Sequence, residues 1–399
     1  MMSFLQRISI QPLLLAPFLL LIVSGLTIPS DGQHGALNVK SIALLFSLIG
    51  TFFCLAVKKK VYWQQFKLIT LMFCSISFLM LWFLVYMMVS GEPLSSPIDQ
   101  FKIFFITLLA VSMSLYFVRE NIISFELLFK TIIYANFAYS LTKVLIVLLH
   151  LLGLINIWNL MESTGIRVMT MGVYGNLTRV QTSVDIVTPF FLFFVLQSDR
   201  LNVPLGRKFK VFYLVISFIS IFLSFSRFLI AIGFLSVLFY WVTLNATKKI
   251  KTIFLCLILL LLLVSYVGLE TVNTIIQVRF FSIANADSDS TRTQQINALL
   301  KGYYDSPYFG RGLGGYVQEN VRDTLNTHSY EVQWVAFLMQ FGLVGILFLM
   351  IPVGLILSKL LNSPITKVKL AFSFLFIFWL FSGNRTHFCG YYLIYGYYC

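Results

Sequence analysis

The sequence is poor in charge, and acidic residues are the scarcest charged class. Of its 399 residues, 29 are Lys or Arg and 15 are Asp or Glu, so that only 11% are charged. An ordinary soluble domain has roughly a quarter of its residues charged. Hydrophobic residues make up 59% of the chain. This composition excludes a soluble globular protein.

Clusters that could hold a metal ion are also scarce. The five cysteines form no disulfide framework. Asp287-Ser288-Asp289 has the composition of an acidic metal-binding pair, but the surrounding serines favour capping of a helix. We therefore expect no metal ion and no cofactor. No internal repeat is present, and no extramembrane segment is long enough to fold alone, so residues 1–399 are expected to form a single integral membrane domain.

Long apolar runs recur along the whole chain, and a helix of about 20 residues crosses the roughly 30 Å hydrocarbon core. No cleavage site marks the first run as a removable signal peptide. The runs predict an all-α polytopic membrane protein with about 11–12 transmembrane helices, the twelfth at 388–399 being left open. The candidate spans are 12–28, 41–57, 68–90, 101–118, 131–154, 182–197, 209–225, 228–245, 250–269, 333–357 and 368–383.

The basic residues gather in every second loop. That side of the predicted topology holds 17 of the 29 basic residues, with clusters such as Lys58–Lys60 and Lys248–Lys251. By the positive-inside rule this side is cytoplasmic, as is the N-terminus. The net charge of +14 thus orients the chain in the membrane and does not imply nucleic acid as a partner.

Two external loops are long, at 155–181 and 270–332. The second contains an apolar pattern, Ile296, Leu299, Leu300 and Tyr303, that predicts an amphipathic helix beginning after Ser290 or Thr291. Such a helix would lie on the outer membrane interface. A loop that only caps the helix bundle is the alternative, but loops of this length are usually functional.

Several arginines lie on the predicted external side, where basic residues weaken the charge bias that orients the chain. The guanidinium group matches phosphate oxygens in two-point contact, so a phosphate or pyrophosphate is the ligand that we expect. Lipid head groups are the alternative partner for any one of them. Arg227 is the strongest candidate because it sits in a connection of about two residues between spans. The other external candidates are Arg167, Arg179, Arg279, Arg292, Arg311 and Arg322.

Three further features carry candidate chemistry. Lys143 lies deep in the fifth span, where it is either a functional group or the structural partner of Asp185. His328 and Glu331 are three residues apart and would share a face if the helix has begun there, as a pair for proton transfer. A structural hydrogen-bonding histidine is the alternative. The glycine-rich stretch 307–315 lacks the strand and the lysine of a nucleotide-binding loop, which indicates a tight, close-packing turn.

The order of these motifs over residues 215–350 resembles the superfamily of O-antigen polymerases and O-antigen ligases. The two enlarged external loops are similar to those of the polymerases. The residues that carry the resemblance are Ser224-Phe225-Ser226-Arg227, Arg292, Pro307 with Gly310, Gly312 and Gly314, Thr327-His328, Glu331, and Gly342 with Gly345.

The resemblance implies a GT-C-like bundle with a large, partly helical periplasmic loop, in the bacterial inner membrane. It also implies a metal-independent glycosyltransferase whose donor is a glycan on undecaprenyl pyrophosphate, acting on the periplasmic side with inversion. His328 is then the candidate base, with Glu331 or Asp185 in reserve. The candidate groups for binding pyrophosphate or glycan are Arg227, Arg292, Arg179, Arg167, Arg279, Arg311, Lys143 and Tyr330.

Polymerase and ligase differ in the acceptor, a lipid-linked repeat unit for the first and lipid A core for the second. The enlarged external loops favour a polymerase, with membrane lipids and a chain-length regulator as further partners. A flippase for lipid-linked oligosaccharides would need charges along many spans, whereas only Lys143 is deep. A membrane scaffold would leave the external arginines without a role.

Overall fold

A computed structural model of the chain describes residues 10–28, 42–50, 63–89, 94–119, 121–164, 169–174, 177–199, 201–242, 283–321, 327–328 and 330–361, with a few single positions between 244 and 273. Helices dominate these residues, and the prediction of an all-α polytopic membrane protein is confirmed. The predicted spans 250–269 and 368–383 lie outside the described residues.

The described elements are mainly helices. Residues 42–50 are helical as well. In chain order the elements are α1 (Ile10–Thr27), α2 (Trp63–Val89), α3 (Ser95–Arg119), α4 (Phe125–Leu151), α5 (Ile157–Thr164), β1 (Met169–Tyr174), β2 (Leu177–Gln181), a 3-10 helix (Ser183–Ile186), α6 (Thr188–Gln197), α7 (Arg207–Leu223), α8 (Arg227–Val242), α9 (Ile283–Asp305), a second 3-10 helix (Gln318–Asn320) and α10 (Gln333–Leu361).

The chain divides into two compact units, each built from two separate stretches of sequence. Unit 1 consists of Met1–Ser47 and Ser124–Asn285, and unit 2 of Leu48–Ile123 and Ala286–Cys399. Unit 1 thus contains α1 and the elements from α4 to α8, while unit 2 contains α2, α3, most of α9 and α10. The expectation of a single membrane domain stays a prediction.

Several of the described helices have the length or the apolar character of membrane spans. Ser95–Val118, Phe125–Leu151 and Gln333–Ile351 are long and apolar enough to cross a membrane. The shorter apolar helices are Leu15–Thr27, Phe73–Val89, Val184–Gln197 and Arg227–Val242. All of these segments overlap spans that the hydrophobic pattern predicts.

Local sequence explains where α4 begins. The side chain of Ser124 accepts a hydrogen bond of 3.1 Å from the backbone N–H of Leu127, which satisfies one of the free donors of the first turn. Glu126 in that turn places negative charge near the positive end of the helix dipole. The helix then continues for 27 residues, several more than the minimum that a bilayer requires.

The loop 155–181, which is predicted to be external, contains a β hairpin that the hydrophobic pattern did not predict. Strands β1 and β2 pair antiparallel, with Met171 opposite Arg179. Val180 packs in a small buried cluster with Val147 of α4 and Ile157 of α5. The hairpin is therefore fixed to the helices of unit 1, and its strand β2 leads directly into Thr182 and the first 3-10 helix.

Candidate functional site

Hydrogen bonds hold the turn between α7 and α8. Helix α7 ends at Leu223 and α8 begins at Arg227, which confirms the tight connection that the sequence indicates. Ser224 caps the end of α7, donating its hydroxyl to the carbonyl of Ile221, and accepts a bond of 3.4 Å from the N–H of Ser226. Phe225 adopts a φ of 44°, a left-handed conformation that non-glycine residues take only where the surroundings impose it.

Two arginines of unit 1 meet this turn. The Nε of Arg179, on β2, donates to the carbonyl of Ser224 at 3.0 Å, and its Nη2 donates to Gln181. Arg227 is the exposed first residue of α8. Among the described residues, its side chain has no hydrogen-bond or ion-pair partner. The hairpin thus brings Arg179 to the turn that displays Arg227, although 45 residues separate Arg179 from Ser224.

Lys143 and Asp185 form a buried ion pair in unit 1. The Nζ of Lys143 donates to Asp185 Oδ1 at 2.7 Å and to the carbonyl of Ser220 at 2.9 Å, and the two side chains are 3% and 1% exposed. The Oδ2 of Asp185 accepts from the N–H of Thr182 at 2.8 Å. Lys143 was expected to be either a functional group or the structural partner of Asp185, and the structure favours the second interpretation. Because both carboxylate oxygens of Asp185 are engaged, we assign it no role as a base.

A hydrogen-bonded network continues from this pair into the helices. Thr182 accepts from Val184 and contacts the hydroxyl of Tyr139 at 2.5 Å. One helical turn before Tyr139, Asn136 donates to Thr188 and accepts from Tyr213 at 2.7 Å. Hydrogen bonding of this kind offsets the cost of burying polar groups between apolar helices.

In unit 2, α10 is interrupted at Gly342, and the glycine-rich loop supplies hydrogen-bond partners for its free backbone groups. Gly342 has a φ of 62° inside α10, so the helical hydrogen bonds around it are interrupted. Backbone groups of the loop replace them, as the N–H groups of Arg311 and Gly312 donate to the carbonyls of Met339 and Gln340. The N–H groups of Leu343 and Val344 donate to the carbonyls of Pro307 and Tyr308. Broken helices occur at membrane depth only where such groups are satisfied internally.

Glycine is required at the contacts of this loop. A Cβ on Gly310 would lie 2.4 Å from the carbonyl oxygen of Gln340, and one on Gly312 would lie 2.2 Å from the backbone nitrogen of Tyr86. Both residues have positive φ angles. The tight, close-packing turn predicted at 307–315 is confirmed. Two of the motifs that carry the resemblance thus contact each other through their backbones. One is the glycine-rich loop with Gly310, Gly312 and Gly314, and the other is the break in α10 at Gly342.

Polar side chains of α3 fix the end of the loop. The peptide group of Gly314 is held on both sides, because its N–H donates to Gln100 Oε1 and its carbonyl accepts from Ser96 Oγ at 2.7 Å. Gln100 also donates to Gln340 of α10 at 2.9 Å, and Gln340 donates to the carbonyl of Gly315. Gln100 and Gln340 are 4% and 0% exposed.

His328 lies beside this clamp. Its Nδ1 is 3.2 Å from Ser96 Oγ, and the residue is 7% exposed. Ser96 donates its single hydroxyl proton to Gly314, so Nδ1 of His328 must carry the proton of the bond to Ser96. In a neutral imidazole Nε2 then bears the lone pair, which is the form that accepts a proton.

Glu331 pairs with Arg292. The Nε of Arg292, on α9, donates to Glu331 Oε2 at 2.9 Å, and Gln295 one turn later accepts from the N–H of Glu331. Helix α10 begins only at Gln333. The condition for a shared helical face of His328 and Glu331 is therefore not met, because both residues precede the first helical turn.

Helix α9 begins earlier than the sequence pattern indicates. It starts at Ile283, so Ser290 and Thr291 lie inside it and do not cap it. Asp287, Ser288 and Asp289 are likewise helical, which corrects the expectation that they precede the helix. Small polar residues compete with helix formation in isolation, and tertiary contacts of the later turns override that tendency. Gln295 and Leu299, 1% and 0% exposed, form its buried face.

Two further candidates hold the loop together. Arg311 donates to Asp305 Oδ2 at 2.6 Å, and to the carbonyl of Tyr316. Tyr330 is completely buried, and its hydroxyl accepts from the N–H of Val317 at 2.8 Å. This position gives Tyr330 a packing role, and its predicted contact with the glycan stays a prediction.

Arg167 and Arg279 lie outside the described residues, as does Arg322. Within the part of the chain that the structure describes, no group of three or more His, Cys, Asp and Glu side chains could hold a metal ion.

Sequence analysis overlooked Ser96, Gln100 and Gln340. They carry no charge, and they resemble many other polar residues of apolar helices. Ser96 meets His328 across a separation of 232 residues, which no local pattern reports. The one available signal was that α3, an apolar helix of membrane-spanning length, has several polar side chains in its first turns.

Residues 212–350 match a family described as O-Antigen ligase. These residues include the turn at Arg227, helices α8 and α9, the glycine-rich loop, His328 and the break in α10. Neither a curated protein nor a solved structure matches the chain, so the GT-C-like arrangement stays a prediction.

Proposed function

We propose that this protein, whose residues 212–350 match a family described as O-Antigen ligase, polymerises the repeat units of a bacterial surface polysaccharide. This match supports a general enzymatic role and a lipid-linked sugar substrate. The finer proposal is transfer of a glycan from undecaprenyl pyrophosphate to the non-reducing end of a second lipid-linked repeat unit. We place this reaction at the periplasmic face of the inner membrane.

The observation that supports this proposal best is the pair of arginines in unit 1. Arg227 is exposed at the first residue of α8, where helical N–H groups and a guanidinium together favour an anion. Arg179 holds the turn through the carbonyl of Ser224. Departure of a lipid pyrophosphate builds negative charge on its oxygens, and fixed cations stabilise that charge in the transition state.

The proton of the acceptor hydroxyl needs a base. In the proposed reaction the hydroxyl oxygen attacks the anomeric carbon, the bond from that carbon to the pyrophosphate oxygen breaks, and the proton passes to Nε2 of His328. The pyrophosphate leaves with the electron pair of the broken bond. Within unit 2, Glu331 is engaged by Arg292, and we assign the role of the base to His328, whose Nδ1 is bonded to Ser96. General-base catalysis by such a group contributes about 10²- to 10⁴-fold.

A substitution of Arg227 tests the role of the guanidinium. Arg227→Lys keeps the charge but loses the planar fork that binds two phosphate oxygens, so we expect loss of most polymer formation at normal expression. Arg207→Lys is the matched control, because Arg207 is also an exposed arginine that begins a helix, α7. Chain lengths equal to those of the wild type in Arg227→Lys would refute the assignment.

Ligation to lipid A core is the second candidate, because the description of the matching family is O-Antigen ligase. The lipopolysaccharide pattern of a deletion strain separates the two functions. A strain that lacks a polymerase attaches a single repeat to the core. A strain that lacks a ligase accumulates lipid-linked polymer and has no O-chain on the core. We expect the first pattern.

A further inference from the structure

The hydrogen bond between Ser96 and His328 suggests a device that sets which imidazole nitrogen can accept a proton. Ser96 lies in the first turn of α3 and is 6% exposed. Its hydroxyl contacts two groups, the carbonyl of Gly314 at 2.7 Å and Nδ1 of His328 at 3.2 Å. A hydroxyl has one proton and two lone pairs, so it can donate to only one of them.

The carbonyl determines the direction of both bonds. A carbonyl oxygen is only an acceptor, so the contact at 2.7 Å requires Ser96 to donate its proton to Gly314. The hydroxyl oxygen is then left as an acceptor for Nδ1–H. Because the carbonyl of Gly314 takes the proton of the Ser96 hydroxyl, the hydroxyl oxygen can only accept from His328. This arrangement favours the tautomer of His328 that has its proton on Nδ1.

The position of Gly314 is itself strongly determined. Its N–H is held by Gln100, four residues after Ser96 on the same helix. A Cβ at Gly314 would lie 2.4 Å from the Cα of Pro97, and its φ is 77°. Glycine alone lets the loop approach the start of α3 closely enough for both bonds to form.

We propose that Ser96 is a positioning residue that keeps the proton of His328 on Nδ1, so that Nε2 takes up the proton of the acceptor hydroxyl. The inference rests on the proposed function for the role of His328. During transfer the hydroxyl proton moves to Nε2, and the resulting imidazolium keeps its Nδ1–H bonded to the oxygen of Ser96. The proton on Nε2 leaves to solvent before the next cycle, so that charge and protons balance.

Steady-state kinetics with purified protein and lipid-linked repeat unit test the functional part. Ser96→Ala should lower kcat by about 10- to 100-fold, the range seen when the outer partner of a functional imidazole is removed in metal sites. KM for the donor should stay near that of the wild type, and Ser96→Thr should restore kcat because it keeps the hydroxyl. Ser114→Ala is the matched control, since Ser114 lies on the same helix, is 3% exposed and bonds only the carbonyl of Ala110.

A spectroscopic measurement tests the hydrogen bond without any activity. The chain has only four histidines, so the ¹⁵N signals of histidine-labelled protein can be assigned by comparison with His328→Asn. Nδ1 of His328 should be protonated in the wild type. In Ser96→Ala the neutral ring should shift toward the Nε2–H tautomer that a histidine side chain in water favours, while Ser114→Ala leaves it unchanged.

The outcomes separate this inference from the proposed function. A tautomer and a kcat that Ser96→Ala leaves unchanged would overturn the inference while the transferase activity stands. Full activity of His328→Ala would overturn the role of the base, and the inference with it. If the wild type transfers no glycan, the proposed function fails, and an Nε2–H tautomer in the wild type would show that the hydrogen-bond assignment fails as well.

Discussion

Removal of Lys143 should destabilise unit 1 strongly, because it leaves a carboxylate buried without its counterion. Lys143→Met fills a similar volume but deletes the bonds to Asp185 at 2.7 Å and to the carbonyl of Ser220 at 2.9 Å. Asp185 is 1% exposed, so water cannot replace the ammonium group. Breaking one partner of a buried pair costs about 3–5 kcal/mol.

This cost corresponds to a large change in thermal stability. Unit 1 has about 200 residues, and in domains of that size each kcal/mol lowers the melting temperature by about 2–4 °C. We therefore expect Lys143→Met to melt about 6–20 °C below the wild type in detergent. The assay is the loss of the monodisperse peak in size-exclusion chromatography after heating.

Lys130→Met is the matched control on the same helix. Lys130 pairs with Glu126 at 2.5 Å, but these side chains are 30% and 47% exposed, and exposed pairs contribute only about 0–1 kcal/mol. The double variant Lys143→Met with Asp185→Asn should recover much of the lost stability, because it removes the unpaired charge as well. Equal melting temperatures for Lys143→Met and Lys130→Met would refute the reasoning, as would additive losses in the double variant.

Two other predictions concern the loop and the topology. Gly312→Ala should lower stability by at least about 2 kcal/mol, because its Cβ would lie 2.2 Å from the nitrogen of Tyr86; Gly25→Ala, with no atom within 4 Å of its Cβ, should melt at or above the wild-type temperature. Single cysteines at Lys249 and Ser288, in a background without other cysteines, should be closed and open respectively to an impermeant thiol reagent in whole cells with a permeabilised outer membrane. The reverse labelling pattern would overturn the proposed orientation.

Backbone contacts across long sequence separations explain why part of unit 2 was out of reach of sequence analysis. Gly310, Gly312 and Gly314 announce a tight turn, since only glycine adopts their φ angles without strain. The pattern did not predict that the backbone of this turn forms hydrogen bonds with α10 around its break at Gly342. The partner groups are main-chain N–H and carbonyl groups, which every residue has and which therefore leave no mark in the sequence.

For the charged residues too, the sequence indicated which residues need a partner, and the tertiary structure decided which partner each one has. The depth of Lys143 in an apolar run indicated that it needs a partner or a function, and Asp185 was one of the candidates. The choice between them depended on the 3-10 helix that presents Asp185 to α4. Likewise the sequence placed Arg292, His328 and Glu331 in one external loop, but the pairing of Arg292 with Glu331 depended on α9 packing against the start of α10.

The sequence by itself determined the class of the protein, because apolar runs and alternating basic loops follow from the energy of placing side chains in hydrocarbon, residue by residue. It also determined the order of motifs over residues 215–350 that resembles the O-antigen polymerases and ligases, and residues 212–350 match a family described as O-Antigen ligase. The tertiary structure alone decided which polar groups meet, as with Ser96 and His328, which lie 232 residues apart. A hydrogen bond depends on the positions of two atoms to within a fraction of an ångström, and only the packing of the helices fixes those positions.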